Sequence, residues 1–374
     1  MEHFYSLRQC NIFLKYLINN LINLFIRKAH KDLFSSDDYM KKIVAYARLL
    51  RIPGIGGLAI PPVIGAITVG LFNFYSLTLV FIIGTLAALY GFILNDFADI
   101  EVDKLAKDLH GKPLVSGDIS SKTALIICVF FILFSFLLVG ALWYGQTIDY
   151  LKFGALLSLF IAGILGSIYD FYGKKIVGAD FLVAISVALV FLFGALSFGQ
   201  PTIITWIIFI LTFNQILHMN AVEGGIKDAD HDPQMGVKNI ASTMGVRMQD
   251  VKITIPGAFK IFSIGIRLFS AVLLFLPFVL FNYNFYVWQI VILALAIFGV
   301  LFFSFKLLSI KIFNRNKIRK YIAIQSFLRY SLVPIMLISI VPSILYSVIL
   351  IIFPIAWYIV FTPLIGEKLF RPRM

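Results

Sequence analysis

From residue 53 onward the chain repeats one pattern, an apolar run of about 20 residues followed by a short polar connection. Runs of that length cross a bilayer as helices, whereas a membrane β-barrel would need shorter segments of alternating polarity. The pattern predicts spans over 53–73, 75–95, 122–143, 150–170, 178–199, 202–222, 258–281, 286–306, 323–341 and 344–363. The last two share one apolar stretch, so nine spans is the rival count to ten. The expected fold class is an all-α, polytopic membrane bundle of nine to ten transmembrane helices.

The first fifty residues differ. Residues 11–31, NIFLKYLINNLINLFIRKAHK, are apolar on much of their surface but carry Lys15, Asn19, Asn20 and Asn23 within them, which predicts an interfacial helix in preference to a further span. Charges interrupt this region and no small-residue cleavage site follows it, so no secretory signal is expected. The stretch SSDDYMKKIVAYARLLRIP begins with Ser35 and Asp38 at capping-box spacing and ends at Pro53, a helix that should lead into the first span. The domain organisation expected is a cytoplasmic or interfacial extension over 1–44 and a transmembrane domain over 45–374.

Composition agrees with the pattern: 60% of the chain is hydrophobic and 14% charged. The formal net charge of +13 suggests nucleic acid only until the cations are located. Connections after odd-numbered spans, such as YGQTID, GQPT and NYNFY, lack Lys and Arg, while those after even-numbered spans include HGKPLVSGDISSK, YGKKIVG, the loop 223–252 and KIFNRNKIRK. Cationic loops favour the cytoplasm, which places the amino terminus and these four loops there. The charge is thus assigned to membrane orientation, with no nucleic-acid partner. Two cysteines, Cys10 and Cys128, imply no disulfide framework, and Cys128 lies in an apolar run as a small packing or lipid-facing residue.

Against this basic background, two connections are acidic. NDFADIEVDK follows the second span, and if the helix continues, Asn95, Asp99 and Asp103 lie i, i+4, i+8 on one side with Asp96 nearby, while Glu101 faces away. Carboxylates about 6 Å apart repel by about 3 kcal/mol per pair at an effective dielectric near 20, a cost that divalent cations with oxygen ligands offset. After the sixth span, EGGIKDADHDPQMGVKNIASTMG repeats the device with Asp228 and Asp232 at i, i+4, Asp230 between them and Lys227 and Lys238 flanking. Magnesium on carboxylates keeps waters and takes phosphate oxygens as further ligands. Two such sets on one membrane face, interleaved with lysines and joined by an apolar cavity, suggest a diphosphate headgroup whose hydrocarbon tail lies in the membrane. An EF-hand is disfavoured, because DADHDPQMG lacks the glycine at the sixth position and the glutamate at the twelfth.

These residues resemble the UbiA superfamily of intramembrane prenyltransferases. Asn95-Asp96-x-x-Asp99-x-x-x-Asp103 followed by GKPLVSGDIS at 111–120 is similar to that family's first signature, and IKDADHDPQMGVKNIAST at 226–243 resembles its second. The resemblance covers roughly residues 45–300. It implies a helical bundle around a central cavity, with magnesium-bridged diphosphate beneath a cytoplasmic cap formed by these loops. Two departures stand out. Lys112 occupies the position of the family's arginine, keeping charge without the bidentate fork. Tyr169 and Lys174, the counterpart of a tyrosine-to-lysine element often spaced by four, are five apart.

The expected chemistry is transfer of an isoprenoid chain from its diphosphate to a lipophilic acceptor. Magnesium at Asp99, Asp103, Asp228 and Asp232, assisted by Asn95 and Asp96, would neutralise the departing diphosphate. Lys112, Lys174, Lys175, Lys227 and Lys238 are candidates for its remaining oxygens, set against their ordinary role as positive-inside loop charge. Within the sixth span, Asn214 and His218 share a helical face beside Gln215 and are candidates to orient or deprotonate the acceptor, with interhelical hydrogen bonding as the alternative. Pro61 and Pro62 are expected to kink the first span.

The acceptor is expected to be an ether-lipid glycerol phosphate or an aromatic quinone precursor. The second motif's KDxxxD form is like that of members making ether lipids, and the uninterrupted first motif argues against the menaquinone branch. No obligate protein partner is inferred. A terpene cyclase of the same superfamily and a non-enzymatic transporter or lipid-binding protein are the alternatives; a transporter predicts charges near mid-membrane, whereas these acids sit at helix ends.

Overall fold

The computed structural model describes residues 36–104, 109–232 and 235–366. Contacts divide the chain into two units, Met1–Tyr46 and Ala47–Met374. In the first unit the described residues belong to helix α1 (Ser36–Leu49), whose last three residues are counted with the second unit. The interfacial helix expected over 11–31 and the capping Ser35 lie outside the described residues.

In the second unit, helices occupy all ten predicted spans. The first is broken: α2 (Ile52–Leu58) and α3 (Pro61–Thr68) meet at Ala59–Ile60, where the two prolines each remove a backbone donor. There follow α4 (Phe74–Ala98), α5 (Ser121–Leu142), α6 (Tyr150–Tyr172), α7 (Asp180–Leu196) and α8 (Ile203–Leu217). α8 runs on as a π-helical turn over His218–Gly224. A two-stranded hairpin, Arg247–Gln249 with Lys252–Thr254, precedes α9 (Gly257–Leu280) and α10 (Val287–Leu308). The shared apolar stretch at the end resolves into two helices, α11 (Arg315–Leu337) and α12 (Ile344–Leu364), parted at Pro342.

Among the described residues, eight helices are long and apolar enough to cross a membrane. Of the other two, α7 is apolar but only 17 residues long, and α11 carries a basic first turn. That turn explains why α11 starts eight residues before the predicted span: Asn314 caps it by accepting from the Lys317 N–H at 3.0 Å, and Lys and Arg are good helix formers. Lipid-facing stripes follow helical periodicity, as in exposed Ile126, Val129, Leu133 and Leu137 of α5.

Helix pairs α6–α7, α10–α11, α4–α5, α3–α7, α7–α8 and α2–α12 make the main packing contacts. The α3–α7 crossing is close enough to require glycine: a Cβ on Gly194 would lie 1.9 Å from the Pro62 carbonyl oxygen, and one on Gly65 2.1 Å from that of Phe191. This pinning holds the broken first span against the bundle. Between α2, α4, α5, α6, α7 and the end of α8 lies a cavity of about 570 Å³, largely apolar and bordered at its polar end by Arg51, Asn95, Tyr169 and Asp170.

A candidate acidic active site

The first acidic motif keeps its helical spacing. Although α4 ends at Ala98, the Asp99 N–H donates to the Asn95 carbonyl at 3.0 Å and the Asp103 N–H to the Asp99 carbonyl at 2.8 Å. The i, i+4 register therefore carries through the joint, and Asp96, Asp99 and Asp103 are 4, 8 and 2% exposed. Buried carboxylates need partners. Arg51 donates to Asp96 at 2.6 Å; the Lys112 ammonium donates to Asp96 at 2.9 Å and to Asp103 at 2.7 Å; Lys174 lies 2.9 Å from Asp99 and 3.9 Å from Asp103. Glu101 points outward, paired among the described residues with Lys104.

Burial pushes the Asp99 carboxyl above its ordinary value, and the nearby Lys174 only partly opposes this. Burial by itself would lower the Lys112 ammonium, but the carboxylates of Asp96 and Asp103 overcome that and leave it raised.

Sequence reasoning missed two participants. Arg51 lies 45 residues before its partner, at the junction of α1 and α2, with a left-handed backbone (φ 44°, ψ 46°) and its guanidinium 5.2 Å from the centre of the Phe92 ring. The signal was a cation placed just ahead of Pro53. Asp170, buried near the end of α6, is hydrogen-bonded by the Asn95 amide and sits beside Tyr169, whose hydroxyl donates to Asn220 at 3.4 Å. A carboxylate inside an otherwise apolar helix was its signal.

The second motif repeats the spacing but not the burial. The Asp232 N–H donates to the Asp228 carbonyl at 3.0 Å, yet the Asp228 side chain is 31% exposed and pairs with its neighbour Lys227 at 3.3 Å. Asp230 turns elsewhere, to His231 at 2.7 Å and Arg315 at 2.5 Å. Asp232 accepts from the Asn239 amide at 2.6 Å. Burial, with the Asp228 charge, raises the Asp232 carboxyl to about 6, opposed by His231, Lys174 and Lys227. Lys174 thus acts on both motifs, and its carbonyl accepts the Lys238 N–H at 2.9 Å, tying the two loops together.

Other candidates fall outside this centre. The exposed Lys175 ammonium sits 5.8 Å from the centre of the Tyr172 ring, and the Lys238 side chain is exposed; neither forms an ion pair among the described residues. Asn214 and His218 border neither this cavity nor the second one described below. Asn214 donates to Ser270 at 3.2 Å, while His218 is fully buried between Ser263 (3.0 Å) and Arg267 (2.7 Å). In this structure both side chains make hydrogen bonds between helices, the alternative set against a part in handling the acceptor. From His218 the chain makes its π-helical turn, whose i, i+5 spacing brings His218 beside Glu223, while Asn220 borders the larger cavity.

No three His, Cys, Asp or Glu side chains converge on one point among the described residues. Magnesium does not require that, since one or two carboxylates with phosphate oxygens and water suffice. The all-oxygen donors Asp99, Asp103, Asp228 and Asp232 suit a hard cation of this kind.

A profile of the UbiA prenyltransferase family matches residues 58–331. Curated relatives include two proteins named 4-hydroxybenzoate octaprenyltransferase. One is from Tolumonas auensis, 30% identical over 46% of this chain and 57% of the relative; the other is from Pseudoalteromonas translucida, 32% identical over 41% and 50%. The chain thus spans little more than half the length of these relatives. Among solved structures, a digeranylgeranylglyceryl phosphate synthase has a TM-score of 0.56 at 20% identity, covering 84% of this chain and 99% of its own. A UbiA homolog from Archaeoglobus fulgidus bound to GPP and Mg2+ has a TM-score of 0.56 at 19% identity, covering 82% and 99%. At these identities the solved structures establish a shared fold.

Proposed function

Because the chain belongs to the UbiA prenyltransferase family, we propose that it catalyses magnesium-dependent transfer of an isoprenoid chain from a polyprenyl diphosphate to a lipophilic acceptor. The observation that carries this reading is the buried set Asp96, Asp99 and Asp103, interlocked with Arg51, Lys112 and Lys174 where an apolar cavity of about 570 Å³ ends. Such a cavity suits a prenyl tail, and such an end suits its diphosphate. Asp99, Asp103, Asp228 and Asp232 are the metal-holding candidates, and when bound the metal supplies charge neutralisation for the leaving diphosphate.

This chain's residues do the rest. Lys112, Lys174 and Lys227 already sit on the carboxylates and can turn to phosphate oxygens when a cation takes their place. Arg51 holds Asp96 in place, and Asn95 and Asp170 shape the passage between headgroup and tail. In the transfer, the allylic carbon–oxygen bond breaks with its electron pair leaving on diphosphate, and the acceptor forms the new bond and loses a proton. Apolar cavity walls keep water from the allylic cation in the interval. The names of the relatives and of one solved neighbour support, respectively, an aromatic quinone precursor and an ether-lipid glycerol phosphate as acceptor classes. The bias of cationic loops supports a cytoplasmic position for both motifs.

The test is magnesium-dependent release of diphosphate from labelled geranylgeranyl diphosphate by the purified protein. Asp99→Asn and Asp228→Asn are each expected to lower the rate by about 10²–10³-fold, as for loss of one electrostatic stabiliser. Full activity in both would remove the site, and uptake of the lipid without diphosphate release would favour transport.

A further inference from the structure

A second, separate cavity of about 140 Å³ lies among α2, α3, α8, α9, α10, α11 and α12. Its walls are apolar apart from a few groups, and among the described residues the charged ones that line it are Arg267 and Arg329, with no acid. Both arginine side chains are at least 95% buried. Their shared counter-ion is Glu223 on the π-helical turn: Arg267 donates to it at 2.9 Å, and Arg329 grips both of its oxygens. His218 adds no charge to the balance, because an arginine can only donate. Its Nδ1 therefore accepts from Arg267, and its Nε2–H donates to Ser263.

Two guanidiniums against one carboxylate leave one buried positive charge uncompensated beside an open space. The Nε atoms of both arginines are also buried without a hydrogen-bond partner. Desolvating an unpaired charge is costly, so the arrangement calls for an anion. The excess of one charge matches a monocarboxylate, and the volume matches a single ring, since an apolar cavity of about 150 Å³ accommodates benzene.

The geometry points to this cavity as the binding site of a small aromatic carboxylate, its carboxylate on Arg267 and Arg329 and its ring among Leu211, Ala271, Leu274 and Val333. Leu58, Ile216 and Met219 line both this cavity and the larger one, so the ligand would lie next to the prenyl chain. Only its role as the acceptor rests on the transfer reading; the binding itself does not.

Binding of benzoate to the purified full chain, followed by calorimetry and by the rise in thermal midpoint, tests it. Benzoate is expected to bind and to protect, with acetate and chloride at the same concentration protecting little. Arg267→Gln leaves the neutral Glu223–Arg329 pair intact, so the protein should fold, and benzoate affinity should fall at least tenfold. Ala271→Leu fills the cavity with every charge in place and should also exclude benzoate, while Asp99→Asn should bind it normally. Equal protection by acetate or chloride would reduce the site to a counter-ion pocket and overturn the proposal. Unchanged affinity in both Arg267→Gln and Ala271→Leu, or a loss confined to Asp99→Asn, would overturn it as well. A wild-type protein that binds benzoate yet releases no diphosphate would sink the transfer reading and leave this site standing.

Discussion

The two acidic motifs share a four-residue spacing and differ in nearly everything around it. In the first, three carboxylates are buried and held by cations from three separate segments, Arg51, Lys112 and Lys174. In the second, Asp228 is about a third exposed with a sequence neighbour as partner, and Asp230 is drawn off toward α11. The spacing aims the carboxylates in both places; the surroundings decide whether they also hold the fold together. The first motif is therefore a structural junction as well as a candidate ligand set, and the second is chiefly a candidate ligand set.

The sharpest way to break this contrast is by stability. Asp96→Asn strips countercharge from Arg51 and Lys112 together and is expected to lower the unfolding free energy by about 3–5 kcal/mol, while Asp228→Asn changes it by less than about 1 kcal/mol. Denaturation of the two variants in the same detergent checks this, and equal losses would erase the distinction. Next in size is a pH effect on the second motif. With Asp232 raised to about 6, its carboxyl is protonated below that pH and must release the proton before taking a metal ion. The magnesium concentration giving half-maximal diphosphate release should therefore rise as pH falls through 6, by up to about tenfold per unit for one proton. Asp232→Asn should flatten the rise; an unchanged slope would assign the proton elsewhere. The smallest effect belongs to the outward-facing acid of the first motif: Glu101→Gln should leave thermal midpoint and diphosphate release unchanged, and a marked loss of either would show that exposure is a poor guide here.

What the sequence disclosed, and what it did not, divides along the same physical line. Spans were legible because a bilayer demands long apolar runs, and motif spacing was legible because helices repeat every 3.6 residues. The partners of the buried acids were not, since Arg51 and Lys174 reach Asp96 and Asp99 across 45 and 75 residues, and no local pattern records such contacts. The π turn from His218 to Gly224 was not legible either, because no sequence pattern marks the inserted residue that brings His218 beside Glu223. The first eight residues of α11 lie outside the span that hydropathy marks, because lysine and arginine end an apolar run yet extend a helix into water.

Arg51 carries a consequence for anyone engineering this protein. Its left-handed backbone is a conformation that glycine or asparagine adopts at less cost, by about 1–2 kcal/mol for an ordinary side chain. Replacing Arg51 would relieve that strain, but it would also delete one of the two cations that hold the buried Asp96, a loss larger than the relief. Selection for heat resistance alone would therefore keep a strained residue at this position, and a hardened variant must be improved elsewhere.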